Sequence, residues 1–188
     1  MSKIDRSQAE VWVALLRGIN VGGKHSLPMK QLVEMFAEAR CVDVRSYIQS
    51  GNVVFTAPLS VVKTLPAVLA KRIEERFGFR APIIVRSRDE MGRIIRGNPF
   101  LKAGLPQTAL HVYFLADLPG ADAVKRLDPS RSATDVFDVR GREIYLHLPN
   151  GMARTKLTNA YFDAQLSTVA TARNWATVLK LQAMMNAA

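Results

Sequence analysis

Apolar and polar residues alternate between two periods along this chain, and the switches mark its elements. Val11-Trp-Val-Ala-Leu-Leu16 is a continuous apolar run of strand length, rich enough in β-branched residues to read as a buried strand. A glycine-rich loop, Arg17-Gly-Ile-Asn-Val-Gly-Gly-Lys24, follows it. Pro28 then opens a helix, and Leu32, Val33, Met35, Phe36 and Ala39 give it an apolar face from 29 to about 39. Val44–Gln49 and Asn52–Thr56 are β-prone runs separated by Ser50-Gly51, a hairpin signal. Helical spacing returns from Ser60 to Phe77, with Pro66 either inside its first turns or marking its true start. Ala81–Arg86 is a fourth strand.

The order β-α-β-β-α-β predicts an α+β fold whose first lobe is the ferredoxin-like split βαβ arrangement, with both helices on one sheet face. We expect the first and third strands of that lobe to run parallel. Ser87-Arg-Asp-Glu90 has the form of a capping box and starts a helix to about Gly97. Asn98-Pro99 and Gly104-Leu-Pro106 place a boundary in 98–107, dividing the chain into lobes 1–97 and 98–188. The second half reads more loosely. Thr108–Leu115 is a strand, Ala121–Leu127 a short helix, Val136–Val139 and Glu143–Leu148 strands, and Thr155–Leu166 a helix. Thr171 is placed as the N-cap of a last helix carrying Trp175, Val178, Leu179 and Leu181. The second lobe is therefore expected to be βαββα, with an extra C-terminal helix where a fourth strand would stand. No residue-level repeat joins the halves.

Composition narrows the class. Apolar residues are 48% and charged residues 22% of 188, which is globular and not disordered. No apolar run approaches the ~20 residues of a membrane helix. Residues 1–10 are polar and lack a signal-peptide apolar region, so a soluble, cytoplasmic protein is expected. The single Cys41 has no disulfide partner in the chain and reads as a small buried hydrophobe. His25, His111 and His147 have no metal-ligand spacing, so no metal and no cofactor are expected.

Charge points toward anions. Twenty-six Lys and Arg against sixteen Asp and Glu leave a formal +10. Lys71, Arg72, Arg76, Arg80, Arg86, Arg88, Arg93 and Arg96 fall within one stretch, suited to nucleic acid or a phosphorylated molecule. Glu74, Glu75, Asp89 and Glu90 are interleaved there, which is also how a solvated face looks.

The sharpest local pattern is Gly18-Ile-Asn-Val-Gly22-Gly23-Lys24, a G-x-x-x-x-G-K sequence between a strand and a helix. His25 stands where a nucleotide-hydrolysing loop needs a hydroxyl for magnesium, and Pro28 delays the helix. The hairpin that follows also departs from the parallel sheet of such enzymes. Two readings remain: a loop whose backbone N–H groups and Lys24 cradle an anion, and a structural turn exploiting glycine. Ser50 lacks the surroundings of a nucleophile and reads as a turn residue. Near the tail, Lys156, Arg173 and Asn174 lie near two predicted helix starts. They suit an anion there, or they brace the backbone.

Leu15-Leu-Arg-Gly-Ile-Asn-Val-Gly-Gly23, Tyr47-Ile-Gln-Ser-Gly-Asn-Val-Val-Phe55 and Thr171-Ala-Arg-Asn-Trp175 together resemble the domain of unknown function 1697 family, across about residues 11 to 182. The resemblance implies a small bacterial-type α/β protein of ferredoxin-like halves. It supplies no activity and no catalytic residues. Thr155 of Arg154-Thr155-Lys156 departs from the serine usual in that family, keeping the hydroxyl.

Three functions follow as expectations. The first is binding of a small phosphate-bearing or other anionic ligand by Arg17, Gly18, Asn20, Gly22, Gly23, Lys24, Lys156, Arg173 and Asn174, converging on one site. The second is nucleic-acid binding through the basic 71–96 surface. The third is an enzyme whose chemistry resides mostly in its substrate or in an unseen partner, with catalytic residues unassigned. A monomer or weak dimer is expected.

Overall fold

The computed structural model describes residues 9–188, so the expectation for residues 1–10 falls mostly outside it. Two compact units divide the chain. One runs to Gly92 and also includes Leu181–Ala188; the other is Arg93–Lys180. The division lies inside a helix, Arg88–Gly97, upstream of the Pro99 break, and the inclusion of the last eight residues in the first unit was no part of the expectation.

In the first unit, β1 (Ala9–Leu16), β2 (Val42–Tyr47), β3 (Asn52–Pro58) and β4 (Ile83–Ser87) form one sheet in the order β2-β3-β1-β4. Every neighbouring pair is antiparallel. The expected parallel pairing of first and third strands is therefore wrong. In a split βαβ unit the strands joined by the helix, β1 and β2, are the parallel ones, and β3 lies between them, antiparallel to both. Helices α1 (Met29–Glu38), α2 (Leu59–Val62) and α3 (Leu65–Phe77) complete the unit up to β4. The long helical pattern is cut at Lys63-Thr64, and Pro66 sits in the first turn of α3, where its missing N–H costs nothing. Gly78, at φ 77°, ends α3 by donating its N–H to Glu74.

Leu32, Met35 and Phe36 of α1 and Leu65, Leu69 and Ile73 of α3 share one core with Trp12, Ala14 and Leu16, so both helices cover the same sheet face. Val13, Leu15, Val54, Ile84 and Arg86, on the other face, are buried as well. A strand buried on both faces has no polar alternation, which accounts for the unbroken Val11–Leu16 run. Cys41 packs in this core, and burial pushes its thiol up to about 12. It is expected to stay unreactive toward an aromatic disulfide reagent in the native protein and to react once denaturant unfolds the chain. Rapid labelling of the native state would contradict its burial.

The second unit repeats the plan. The chain first completes α4 (Arg88–Gly97), forms α5 (Pro99–Lys102) and a 3₁₀ turn (Gln107–Ala109). Strands β5 (Leu110–Leu115), β6 (Val136–Arg140), β7 (Glu143–His147) and β8 (Ala170–Asn174) then form an antiparallel sheet in the order β6-β7-β5-β8. Helices α6 (Ala121–Lys125) and α7 (Asn159–Leu166) intervene, and α8 (Trp175–Asn186) follows. Tyr113, Leu115, Ile144, Leu146, Phe162 and Leu166 form its core.

The looser βαββα description is thus corrected: residues 170–174 supply the missing fourth strand. Thr171 is no N-cap. It pairs with Phe114 inside the sheet, and Asn174 caps α8 by accepting from Thr177 N at 2.8 Å. The helix expected from Thr155 begins at Asn159, capped by Thr158.

A residue-level correspondence also emerges. Val13 pairs with Arg86 as Val112 pairs with Arg173. Each arginine is buried and donates from Nη1 to its preceding carbonyl, Val85 O at 3.0 Å and Ala172 O at 2.7 Å. Each is followed by a helix cap, Ser87 or Asn174. Ser87 and Glu90 form the expected reciprocal box, Ser87 N to Oε2 at 2.7 Å and Glu90 N to Oγ at 3.2 Å.

Candidate functional site

Two of the three segments that suggested the family lie against each other in the first unit. β1 enters the glycine-rich loop with Leu16 N bonded to Gly51 O at 2.7 Å and Arg17 N bonded to Pro82 O at 2.9 Å. Gly22 and Gly23, at φ 59° and 72°, form a tight turn closed by the Val21–Lys24 bridge. Successive left-handed residues are what a two-residue hairpin turn demands, and glycine meets that without strain. Val21, Gly22, Gly23 and Lys24 are exposed.

Asn20 fixes the loop. Its Nδ2 donates to Leu27 O at 3.0 Å and Gln49 O at 2.9 Å, and its Oδ1 accepts from Leu27 N at 2.7 Å. The side-chain amide is thus engaged at both ends by the protein's own backbone. His25 Nδ1 lies 2.9 Å from Gly18 O, and its ring stacks on Phe79 with centroids 4.6 Å apart. The helix after this loop begins at Met29, well past Lys24, so the lysine stands on a hairpin turn and not on a phosphate-binding helix start.

The facing turn, Ile48–Gly51, has four residues, because β2 ends at Tyr47 instead of Gln49. Ile48 holds φ 49°, a conformation β-branched residues rarely adopt. Ser50 Oγ accepts from Asn52 Nδ2 at 3.0 Å, a turn contact consistent with its structural reading. Nothing local in either segment ties this turn to the loop; the one shared signal is that both carry the family likeness.

Arg17, Gly18, Asn20, Gly22, Gly23 and Lys24 thus come together in the first unit. Lys156, Arg173 and Asn174 belong to the second. Lys156 is exposed on the loop before α7. Arg173 is buried within β8, donates to Thr171 Oγ1 at 3.0 Å as well as to Ala172 O, and burial lowers its guanidinium to about 10. Asn174 is the cap of α8.

The basic stretch is largely compensated. Lys71 pairs with Glu75, Arg72 and Arg76 with Glu38, and Arg80 with Glu74, while Arg86 is buried. Among the described residues, no three His, Cys, Asp or Glu side chains group to hold a metal. No helix among them is long and apolar enough to cross a membrane.

Comparison with known proteins gives a family model described as Protein of unknown function (DUF1697), matching residues 10–145; the tail segment 171–175 lies beyond that match. The chain is similar to the solved structure of the conserved bacterial protein SP0830 from Streptococcus pneumoniae, at 20% identity and a TM-score of 0.72. The match covers 94% of this chain and 99% of that one. Among curated proteins, none matches.

Proposed function

Because the chain belongs to the DUF1697 family, whose description assigns no activity, we propose a function from its own residues: binding of a small phosphate-bearing or other anionic ligand at loop 17–24. The observation that carries this reading is the exposed Gly22-Gly23-Lys24 turn, which offers the backbone N–H groups of Gly22 and Gly23 and the Lys24 ammonium on a loop already rigidified by Asn20. Such pre-organisation lowers the ordering cost of binding. Arg17 adds a second cation at the base of the loop. The protein acts in the cytoplasm as a monomer or weak dimer on this reading. Each unit is assigned to the ferredoxin-like class, supported by the strand orders β2-β3-β1-β4 and β6-β7-β5-β8.

The test is a melt against nucleotides, sugar phosphates and single-stranded RNA at two salt concentrations. A ligand at ~100 times its dissociation constant adds roughly 2.7 kcal/mol, or on the order of 5–10 °C for this length. Lys24→Gln should reduce the shift with the fold intact. A shift undiminished in Lys24→Gln, or a panel with no shift, overturns the proposal. Affinity for a small ligand should fall gently with salt, whereas a strand contacting many phosphates loses it steeply.

A further inference from the structure

Arg131 of the second unit is held in an unusual way for an exposed arginine. Its guanidinium carbon lies 4.2 Å from the centroid of the Tyr161 ring, and its Nε donates to Lys156 O at 3.1 Å. The cation–π contact and the Nε bond together restrain the group, which lowers the rotamer freedom it has left to lose. Its two terminal nitrogens have no hydrogen-bond or ion-pair partner among the described residues. Arg72, Arg76, Arg80 and Arg140, by contrast, point their guanidinium nitrogens at carboxylates.

The carboxylates of the surrounding loop are occupied elsewhere. Asp128 Oδ1 accepts from Ser130 N and Ser130 Oγ at 2.8 and 2.7 Å, and Asp135 accepts from Ser132 Oγ at 2.5 Å. Asp128 does act electrostatically on Arg131, but with no ion-pair contact between them. Ser132 Oγ in turn receives Lys156 N at 3.3 Å, so the Arg131 loop and the Lys156 backbone are tied at two points. Lys156 is exposed, and no hydrogen bond or ion pair engages its ammonium among the described residues. An oriented fork with two unused N–H₂ ends, bonded to the residue that bears a second cation, matches the planar donor geometry that recognises a phosphate group.

We propose that Arg131 and Lys156 form a phosphate-binding site on the second unit, separate from loop 17–24, with the Arg131 fork giving bidentate contact and Lys156 a point charge. The phosphate is that of a free small molecule or of a nucleic-acid strand; the chemistry recognised is the same.

The intact protein, labelled with nitrogen-15, is titrated with inorganic phosphate while the Arg131 Nε–H and Lys156 amide resonances are followed. Both should move saturably. The apparent dissociation constant should weaken at least tenfold in Arg131→Lys, which keeps the charge but loses the fork, and in Lys156→Gln. It should be unchanged in Lys24→Gln, so this site and the loop site fail or stand separately. A shift that grows linearly without saturation, or saturation unaffected by Arg131→Lys, overturns the proposal. Competition by ribose 5-phosphate with weak salt dependence assigns a small ligand; competition by single-stranded RNA with steep salt dependence assigns a strand.

Discussion

Gly51→Ala is expected to cost about 2–5 kcal/mol, roughly the sum of an overpacked core contact and a left-handed alanine. An added Cβ would lie 2.7 Å from Leu16 Cβ and 3.0 Å from Ile19 Cδ1. Neither neighbour has room to retreat: Leu16 and Ile19 are both 1% exposed. The backbone cannot swing away either, because Gly51 O holds Leu16 N at 2.7 Å and φ is 76°. For a domain of this size the melting temperature should fall by on the order of 10 °C. Thermal melts followed by circular dichroism measure it. A fall of only a degree or two would mean that the Ile48–Gly51 turn is not pinned to β1 as described.

Asn20→Ala should destabilise by about 2–4 kcal/mol, since it leaves Leu27 N, Leu27 O and Gln49 O without their partner and forces alanine into a left-handed conformation. Asn20→Asp should be no better at neutral pH. It retains an acceptor for Leu27 N but sets a carboxylate against two carbonyl oxygens. Lys24→Gln, on the exposed turn beside it, should stay within about 0.5 kcal/mol of the parent. Denaturant melts of the three variants separate brace from ligand contact. If Asn20→Ala melts like the parent and loses only ligand, Asn20 is a binding residue and the loop needs no brace.

Those two residues also show which parts of the sequence speak plainly. The Val11–Leu16 run and the Ser87–Glu90 box are local signals, and both reappear in the structure as β1 and a capped α4. β8 is different. Ala-Thr-Ala-Arg-Asn carries little strand preference, and its Thr looks like a cap to any local reading; it is extended because β5, far back in the chain, accepts it as a partner. With β8 misread, the correspondence between Arg86 and Arg173 was out of reach. Polar residues in the site posed a related difficulty. Asn20 in a glycine-rich loop has the same appearance whether its amide meets a ligand or the chain's own carbonyls. Arg131 carried no signal at all, because Tyr161 and the Lys156 carbonyl reach it only through folding.

The return of Leu181–Ala188 to the first unit sets an order on the protein's synthesis. A chain emerging from the ribosome presents all four strands of the first sheet early, yet the segment bearing Leu181 and Met185, both fully buried, emerges only after the whole second unit. So does the carbonyl of Met184 that Arg45 grips at 3.2 Å. The second unit is in effect an insertion within the first, and can be complete in the nascent chain while its host is not. The apolar surface awaiting those last residues stays open through the whole interval, and nascent chains with open apolar surface are the ones that associate wrongly.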